Sequence, residues 1–288
     1  MRIDAHQQFW RIANRQGRWP PPALAPIHRD FVPDDLLPEL QRCRIAGTVL
    51  VQSLATMSDT EFTLELAMRH DFVLGVVGWI DLKSAGAPVY IAHLAQYPQF
   101  KGLRAMLQDL ADDRWIDDPA LDTAVLCMID HGLSFDALVL QRQLPALRCF
   151  AQRHPELPIA IDHAARPPIA RGARRDWQRE IAALARLPNV HCKLSGLLTE
   201  AGPGCCELRL QPYVEHVFAC FGARRLMWGS DWPVLRLAAE YEEWFTMARS
   251  LCTALPGMHD DDLDAVFGGN AHRFYRLQPP LHRQGMTC

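Results

Sequence analysis

The chain runs through Ile3-Asp4-Ala5-His6 and then Gln7-Gln8-Phe9-Trp10, a short β-rich run followed by a turn without glycine. A doubly wound open sheet that binds a dinucleotide normally has a glycine-rich turn at this point. Seven more β-rich runs follow, and segments with apolar residues at helical spacing separate them. Eight strand–helix repeats are the number found in a (β/α)8 barrel. We therefore expect an α/β protein with a single TIM-type barrel, with an open doubly wound sheet as the alternative.

The predicted strands are Arg2–His6, Thr48–Ser53, Phe72–Ile80, Lys101–Leu107, Leu133–Val139, Pro158–His163, Val190–Ser195 and Arg225–Ser230. Helix starts are indicated by Pro33-Asp34 and by a capping box from Ser58 to Glu61. We expect residues 1–288 to form one barrel domain. Its longest non-periodic segment is a proline-rich loop at about residues 14–30. In a barrel this loop lies over the C-terminal face, as a lid or as an ordinary surface loop.

The composition is typical of a globular protein, with 49% hydrophobic and 22% charged residues. The net charge of −3 provides no overall positive field that would attract nucleic acid or anionic lipid. No apolar run reaches the roughly 18 residues of a membrane span, and the pattern of a signal peptide is missing. The nine cysteines include no C-x-x-C pair, which is typical of reduced thiols. We therefore expect a cytoplasmic protein that binds neither nucleic acid nor membranes.

Polar side chains stand at the ends of the predicted strands. In a barrel these ends meet at one mouth, where active sites are built. Burying unpaired charges costs several kcal/mol, so this pattern favours a site over a core. The residues are His6, Gln8, Gln52, Trp79, Asp81, Arg104, Gln108, Asp136, Asp162, His163, Lys193, Ser195 and Asp231. The sequence has no G-x-S-x-G elbow, P-loop or H-E-x-x-H motif, which argues against the commonest covalent, phosphoryl-transfer and zincin chemistries.

Some of these residues have the chemistry of a hydrolytic centre. Asp231 follows an apolar strand, where its carboxylate could accept a proton from water or cap the next helix. His163 could bind a metal or a carbonyl oxygen, or be a core histidine. His6 and Gln8 are two apart and could face one site, although glutamine is a poor ligand for first-row metals. Strand alternation places Asp162, the neighbour of His163, on the outside of the barrel.

Two basic residues leave alternatives open at this stage. Lys193 could attract a substrate carboxylate, orient a carbonyl group, or face solvent with its stem packed. Arg104 could clamp an oxygen-rich substrate or form a structural ion pair. The spacing of the sequence does not decide between these roles.

Several segments together resemble the sugar-lactonase branch of the amidohydrolase superfamily and, more distantly, the 2-pyrone-4,6-dicarboxylate lactonases. The segments are Ile3–Trp10, Val76–Leu82, Lys101–Arg104, Leu107–Asp109, Ile161–Ala164, Cys192–Leu197 and Trp228–Pro233. They span nearly the whole chain in the same order. The resemblance implies a (β/α)8 barrel that hydrolyses a small lactone, a sugar-derived aldonolactone, in carbohydrate metabolism.

The resemblance also implies roles for individual residues. The branch's first-strand D-x-H-x-H falls on Asp4, His6 and Gln8, its strand-six histidine on His163 and its strand-eight aspartate on Asp231. It implies that Asp231 activates a water molecule while His163 and His6 assist. The residues implied in substrate binding are Gln8, Gln52, Trp79, Arg104, Gln108, Lys193 and Trp19.

Gln8 stands where the branch has its second metal-binding histidine. We therefore expect either no required cofactor or a weakly bound divalent metal, zinc, held by His6, His163 and Asp231. Two other functions stay open, a metal-dependent decarboxylase of the same superfamily and a binding barrel with reduced catalysis. The expected partner is a small lactone, and a homodimer is a further expectation, based on aromatic surface around Trp244-Phe245.

Overall fold

The computed structural model describes residues 1–278 and confirms the predicted barrel. Eight parallel strands pair in chain order, each with the next. They are β1 Ile3–Gln7, β2 Gly47–Val51, β3 Val73–Gly78, β4 Phe100–Ala105, β5 Ser134–Ala137, β6 Ile159–Ile161, β7 Val190–Leu194 and β8 Leu226–Trp228. A parallel bridge between Gln7 and Trp232 joins the first and last strands and nearly closes the sheet. All eight predicted strands are present, with ends that differ by a residue or two.

Helices cover the outside of the sheet. They are α1 Pro33–Cys43, α2 Met57–Arg69, α3 Ala87–Leu94, α4 Asp122–Asp130, α5 Leu144–Arg153, α6 Arg175–Ala185, α7 Leu197–Ala201, α8 Glu207–Phe221, α9 Tyr241–Thr253, α10 Asp260–Asp264 and α11 Asn270–Phe274. Successive residues of a strand point to opposite faces, so each strand contributes to two cores. In β2, Leu50 belongs to the large cluster packed under the helices, whereas Val49 and Val51 belong to a second cluster in the barrel interior.

The proline-rich loop is tied to the end of β2 by one buried arginine. Arg15 donates from Nη1 to Asp59 Oδ1 at 2.8 Å, from Nη2 to Ser53 Oγ at 2.8 Å, and from Nε to the Trp19 carbonyl at 2.8 Å. The second oxygen of Asp59 accepts from the backbone N–H groups of Ser53 and Leu54. Because each of the three guanidinium nitrogens donates a hydrogen bond, the loop has a fixed position beside the barrel mouth.

The beginning of α2 differs from the prediction. The N-cap is Thr56, whose hydroxyl accepts from the Asp59 N–H at 3.2 Å, so the predicted capping box from Ser58 to Glu61 is wrong. Thr56 lies two residues earlier and already satisfies the first free N–H groups of the helix. The start of α1 at Pro33 is confirmed.

The surface around α9 also differs from the expectation. Trp244 and Phe245 are only 1% and 7% exposed, because α9 turns both rings towards the barrel. The Trp244 indole donates to the Gly229 carbonyl at 3.0 Å, and Phe245 packs edge-on against Trp228. The exposed aromatic surface predicted there is therefore wrong, and the expectation of a homodimer has lost its basis.

Two further sequence expectations concern the cysteines and membrane spans. The eight cysteines within residues 1–278 are free thiols, and Cys288 lies outside the described residues. Across the described part of the chain, no helix combines the length and the apolar character needed to cross a bilayer.

Candidate active site

A cavity of about 690 Å³ lies at the carboxyl ends of the strands. Its polar lining includes Gln8, Arg104, Gln108, His163, Arg166, Glu200 and Asp231. Its apolar lining includes Leu24, Leu54, Met106, Leu138, Val234 and Leu237, together with Trp19 from the proline-rich loop. This volume lies within the usual range of sites for small ligands, and the mixture of apolar walls and a few polar groups is typical of them.

Asp231 lines this cavity, three residues after the end of β8. Its backbone is left-handed, with φ of 60°, and its N–H donates to the His6 carbonyl at 2.8 Å. The carboxylate does not cap the following helical turn, Val234–Leu237, which has no side-chain cap. Burial raises the pKa of Asp231 to about 8, against the opposing effect of the Arg104 charge. A carboxyl group with a pKa near neutrality can exchange a proton with water at working pH.

His163 reaches the cavity through an unusual backbone segment. The four residues His163–Arg166 all have left-handed φ values, between 49° and 60°. Such conformations are rare for residues other than glycine and tend to occur at functional sites. His163 Nδ1 lies 2.9 Å from Ser195 Oγ, and Nε2 lies 3.7 Å from Asp231 Oδ1. Gly196 is required beside it, because a Cβ there would lie 2.7 Å from Cγ of His163.

Asp162 points into the barrel, so its predicted position on the outside is wrong. Its Oδ1 lies 3.0 Å from Lys193 Nζ and 3.4 Å from His6 Nδ1. Its Oδ2 accepts from Arg104 Nη1 at 3.2 Å. The strand ends at Ile161, and the alternation of side chains that holds within a strand does not continue into the turn. The positive charge of Lys193 helps to hold the pKa of Asp162 well below its usual range despite complete burial.

His6 lies beneath the cavity and is completely buried. Its Nε2 lies 3.8 Å from Asp231 Oδ1 and 3.4 Å from both Arg104 Nη1 and Gln8 Nε2. Burial lowers the pKa of His6 to about 3, and burial also lowers the pKa of His163 well below its usual range. Both imidazoles are therefore neutral at physiological pH.

Lys193 and Gln52 also lie beneath the cavity and do not line it. Lys193 Nζ donates to Asp136 Oδ2 at 2.5 Å, and the Tyr275 hydroxyl donates to the same carboxylate at 2.9 Å. The side-chain Nε2 of Gln52 donates to the backbone carbonyl of Arg104 at 3.2 Å, and the backbone carbonyl of Gln52 accepts from Arg104 Nη2. Both residues therefore hold the buried charges of the site in place.

Arg104 and Gln8 do line the cavity, and each retains an unused polar atom. Among residues 1–278, Arg104 Nε and Gln8 Oε1 are buried without a hydrogen-bond partner. Buried polar atoms are normally satisfied, so these two indicate that a ligand or water completes the site.

Three other predicted substrate contacts have different outcomes. Trp19 and Gln108 line the cavity, as the prediction requires. Trp79 does not line it. The backbone N–H and C=O of Trp79 are both bonded to the Thr60 hydroxyl in α2, at 2.7 Å and 2.8 Å. The structure thus brings Trp19 and Gln108 to the site and leaves Trp79 outside it.

Sequence reasoning missed Arg166 and Glu200. Arg166 Nε donates to Glu200 Oε1 at 2.6 Å, and Nη1 donates to Gln108 Oε1. The only available signal was the position of Arg166, three residues after His163 in the loop behind the sixth predicted strand. Nothing in the sequence indicates the left-handed backbone that brings it to the cavity.

His6, His163 and Asp231 could together hold a cation. One ligand atom from each lies within 4.8 Å of the other two. Two neutral imidazoles and a carboxylate are a donor set that suits zinc and related divalent metals. Arg104 Nη1, at 3.4 Å from His6 Nε2, competes for the same nitrogen and would repel a cation. The donor set therefore fits a divalent metal, but the positive charge of the Arg104 guanidinium weakens the binding of a cation there.

Comparison with known proteins agrees with this geometry. The chain is 55% identical over 282 residues to the L-fucono-1,5-lactonase of Burkholderia ambifaria, with 97% of each chain covered. It is 35% identical to the L-fucono-1,5-lactonase of Burkholderia multivorans, again with 97% of each covered. A crystal structure of an amidohydrolase from Burkholderia multivorans with bound zinc superposes with a TM-score of 0.90 at 33% identity, covering 96% of this chain and 100% of that one.

A comparison of the chain with models of protein families leads to the same group of proteins. The model of the amidohydrolase family covers residues 3–277, which includes all eight strands and every residue of the cavity. The predicted resemblance to amidohydrolases of the sugar-lactonase branch is confirmed. The chain belongs to the amidohydrolase family.

Proposed function

We propose that this protein hydrolyses a sugar-derived lactone to the corresponding hydroxy acid, with L-fucono-1,5-lactone as the substrate. The observation that carries the proposal is Asp231, a buried carboxyl group that lines the cavity and has a pKa of about 8. It lies beside the neutral imidazole of His163 and near the positive charge of Arg104. The substrate follows from the 55% identity to a protein named as an L-fucono-1,5-lactonase.

In the first step, ionised Asp231 removes a proton from a water molecule. The water oxygen bonds to the ring carbonyl carbon, and the π electrons of the carbonyl move onto its oxygen. His163 lines the cavity and donates a hydrogen bond to that developing oxyanion, and Arg104 Nε, a buried donor without a partner among residues 1–278, donates a second. We assign the proton of the neutral His163 ring to Nε2, 3.7 Å from Asp231 Oδ1, with Nδ1 accepting from the Ser195 hydroxyl 2.9 Å away.

In the second step, the tetrahedral intermediate collapses and the bond from the carbonyl carbon to the ring oxygen breaks. The ring oxygen takes the proton that Asp231 received from water, so the carboxylate is regenerated. Arg104 supplies positive charge in both steps. Asp162 and the backbone carbonyl of Gln52 hold its guanidinium in one position. His6 lies behind Asp231 and positions the carboxylate and the guanidinium, and its burial keeps it out of direct contact with substrate.

We further propose that a divalent metal, zinc, binds weakly and is not required. His6, His163 and Asp231 would hold it. When bound, the metal would polarise the carbonyl group and lower the pKa of a water molecule. Weak binding follows from the Arg104 guanidinium next to His6 and from glutamine instead of histidine at position 8.

The test is a pH-indicator assay of chelator-treated protein against L-fucono-1,5-lactone and a panel of other sugar 1,4- and 1,5-lactones. Rates are corrected for spontaneous opening, measured without protein. We expect the chelator-treated protein to release acid from the hydroxylated 1,5-lactones without added zinc. If the panel gives no release with or without zinc, the proposal is wrong. Release of carbon dioxide from an aromatic acid would instead favour the decarboxylase reaction.

A further inference from the structure

At the rim of the cavity, three side chains from different segments of the chain are joined by hydrogen bonds. Gln108 follows β4, Arg166 follows β6 and Glu200 lies in α7 after β7. The guanidinium of Arg166 donates to Glu200 Oε1 through Nε, at 2.6 Å, and to Gln108 Oε1 through Nη1. All three residues line the same cavity as Asp231. We call them the rim triad.

Each member of the rim triad keeps one group that makes no hydrogen bond within residues 1–278. These groups are Nη2 of Arg166, Nε2 of Gln108 and Oε2 of Glu200. Arg166 and Glu200 are only 33% and 20% exposed, so their side chains are held in the wall of the cavity and do not extend freely into solvent. The triad therefore presents two donors and one acceptor to a ligand.

The charge of the rim triad indicates which ligands it suits. The Glu200 carboxylate neutralises the Arg166 guanidinium at 2.6 Å, so the group as a whole carries no net charge. A second carboxylate on the substrate would gain from Arg166 but be repelled by Glu200. A pair of neighbouring hydroxyl groups suits the triad better, because one hydroxyl can donate to Glu200 while the other accepts from Arg166 or Gln108.

The other cavity walls agree with a ligand that has a polar edge and an apolar face. Leu54, Leu138, Val234 and Leu237 contribute apolar lining to the same cavity. A lactone ring with hydroxyl groups on one edge has both kinds of surface. The backbone of Arg166, left-handed with φ of 50°, is held in an uncommon conformation that serves to bring its side chain to this position.

We infer that Arg166, Gln108 and Glu200 form a subsite that binds two neighbouring hydroxyl groups of an uncharged lactone. This inference rests on the proposed function and adds the residues that select a polyhydroxylated lactone over a plain one. The three residues determine specificity and take no part in proton transfer.

The test is a cycle that combines changes in the protein with changes in the substrate. The wild-type protein and Glu200→Gln and Arg166→Met variants are assayed on L-fucono-1,5-lactone and on analogues that each lack one ring hydroxyl. We expect each variant to lose about 10- to 100-fold in kcat/KM on the full substrate, the usual effect of losing a hydrogen bond to a charged group. For at least one analogue, wild type and variant should differ by less than threefold, because the hydroxyl that the triad binds is already missing.

A purely structural role gives a different pattern, in which each variant loses the same factor on every lactone. That additive result would overturn the subsite and leave the proposed function intact. Failure of wild type to open any lactone would overturn the proposed function and the subsite with it. Arg179→Met is the matched control, because Arg179 makes a comparable ion pair with Glu180 on the exposed surface of α6. It should retain wild-type kcat/KM on all substrates.

Discussion

Lys193→Met tests whether the charge beneath the cavity is structural. Lys193 Nζ lies 2.5 Å from Asp136 Oδ2 and 3.0 Å from Asp162 Oδ1, and all three side chains have no exposed surface. Together with Arg104, which pairs with Asp162 at 3.2 Å, they form a buried group of two positive and two negative charges. Replacement of the ammonium group by a thioether of similar length leaves one negative charge without compensation.

The expected cost follows from the burial of these charges. Removal of one partner from a buried ion pair costs about 3–5 kcal/mol, because the other charge stays desolvated. Removal of both partners costs much less, so Lys193→Met combined with Asp136→Asn should recover about 2 kcal/mol or more of the loss. The measurement is urea unfolding, followed by tryptophan fluorescence at pH 7.5 in all variants.

Lys83→Met is the matched control for this experiment. Lys83 Nζ lies 2.6 Å from Asp118, but the two side chains are 28% and 42% exposed. A surface pair of this kind contributes little to stability, despite its short distance, because water and salt screen it. A loss below 1 kcal/mol for Lys193→Met, equal to that of Lys83→Met, would refute the structural role. If Lys193→Met stays stable but shows a strongly raised KM, Lys193 binds substrate instead, which is one of the roles that the sequence left open.

Burial raises the pKa of Asp231 to about 8, so kcat/KM of the metal-free protein should fall about tenfold per pH unit below that value; constant kcat/KM down to pH 5 would contradict this. Gln8→His places a further imidazole beside His6 Nε2 and should tighten zinc binding at least tenfold, measured by competition with a chromogenic chelator; unchanged affinity would count against the metal site. Burial lowers the pKa of His191 from 6.5 to about 4, so at this residue the unfolded chain binds more protons between these values. The contribution of His191 to the free energy of unfolding should therefore drop by roughly 3 kcal/mol as pH falls from 6.5 to 4. His191→Gln should weaken this dependence and exposed His131→Gln should not, as measured by urea unfolding at both pH values; equal slopes in the two variants would contradict the assignment.

Most of the fold could be predicted from the sequence because barrel strands are short and regularly spaced. Each of the eight strands is a run of β-rich residues between helical segments, and each was located to within a residue or two. Helix starts were harder to predict. Thr56 and Ser58 can both cap a helix, and local sequence does not distinguish them.

The site could be predicted only where strands lead directly into it. Asp231, His163 and Gln8 line the cavity because they follow strand ends within three residues. Asp162 was misplaced because the rule of alternating sides stops with the strand at Ile161, just before the left-handed segment that begins at His163. Local sequence does not report such a turn, since it is held by tertiary contacts such as that between His163 and Gly196.

The sequence also did not predict which strand-end residues line the cavity and which lie below it. Lys193 and Gln52 occur at strand ends like the cavity residues, but their side chains point to partners below the cavity. The rim triad combines two loop residues with one from α7 that meet only in the folded protein, so its spacing along the chain carries no signal.

The most direct test of the account compares Asp231→Asn with wild type in the hydrolysis of L-fucono-1,5-lactone by chelator-treated protein. Asparagine keeps the size of the side chain but cannot take a proton from water, so kcat should fall by about 10²- to 10⁴-fold. Asp113→Asn, which changes a surface aspartate paired with Arg142, is the control and should keep the wild-type rate. A folded Asp231→Asn variant with a kcat close to wild type would contradict the claim that Asp231 activates the water.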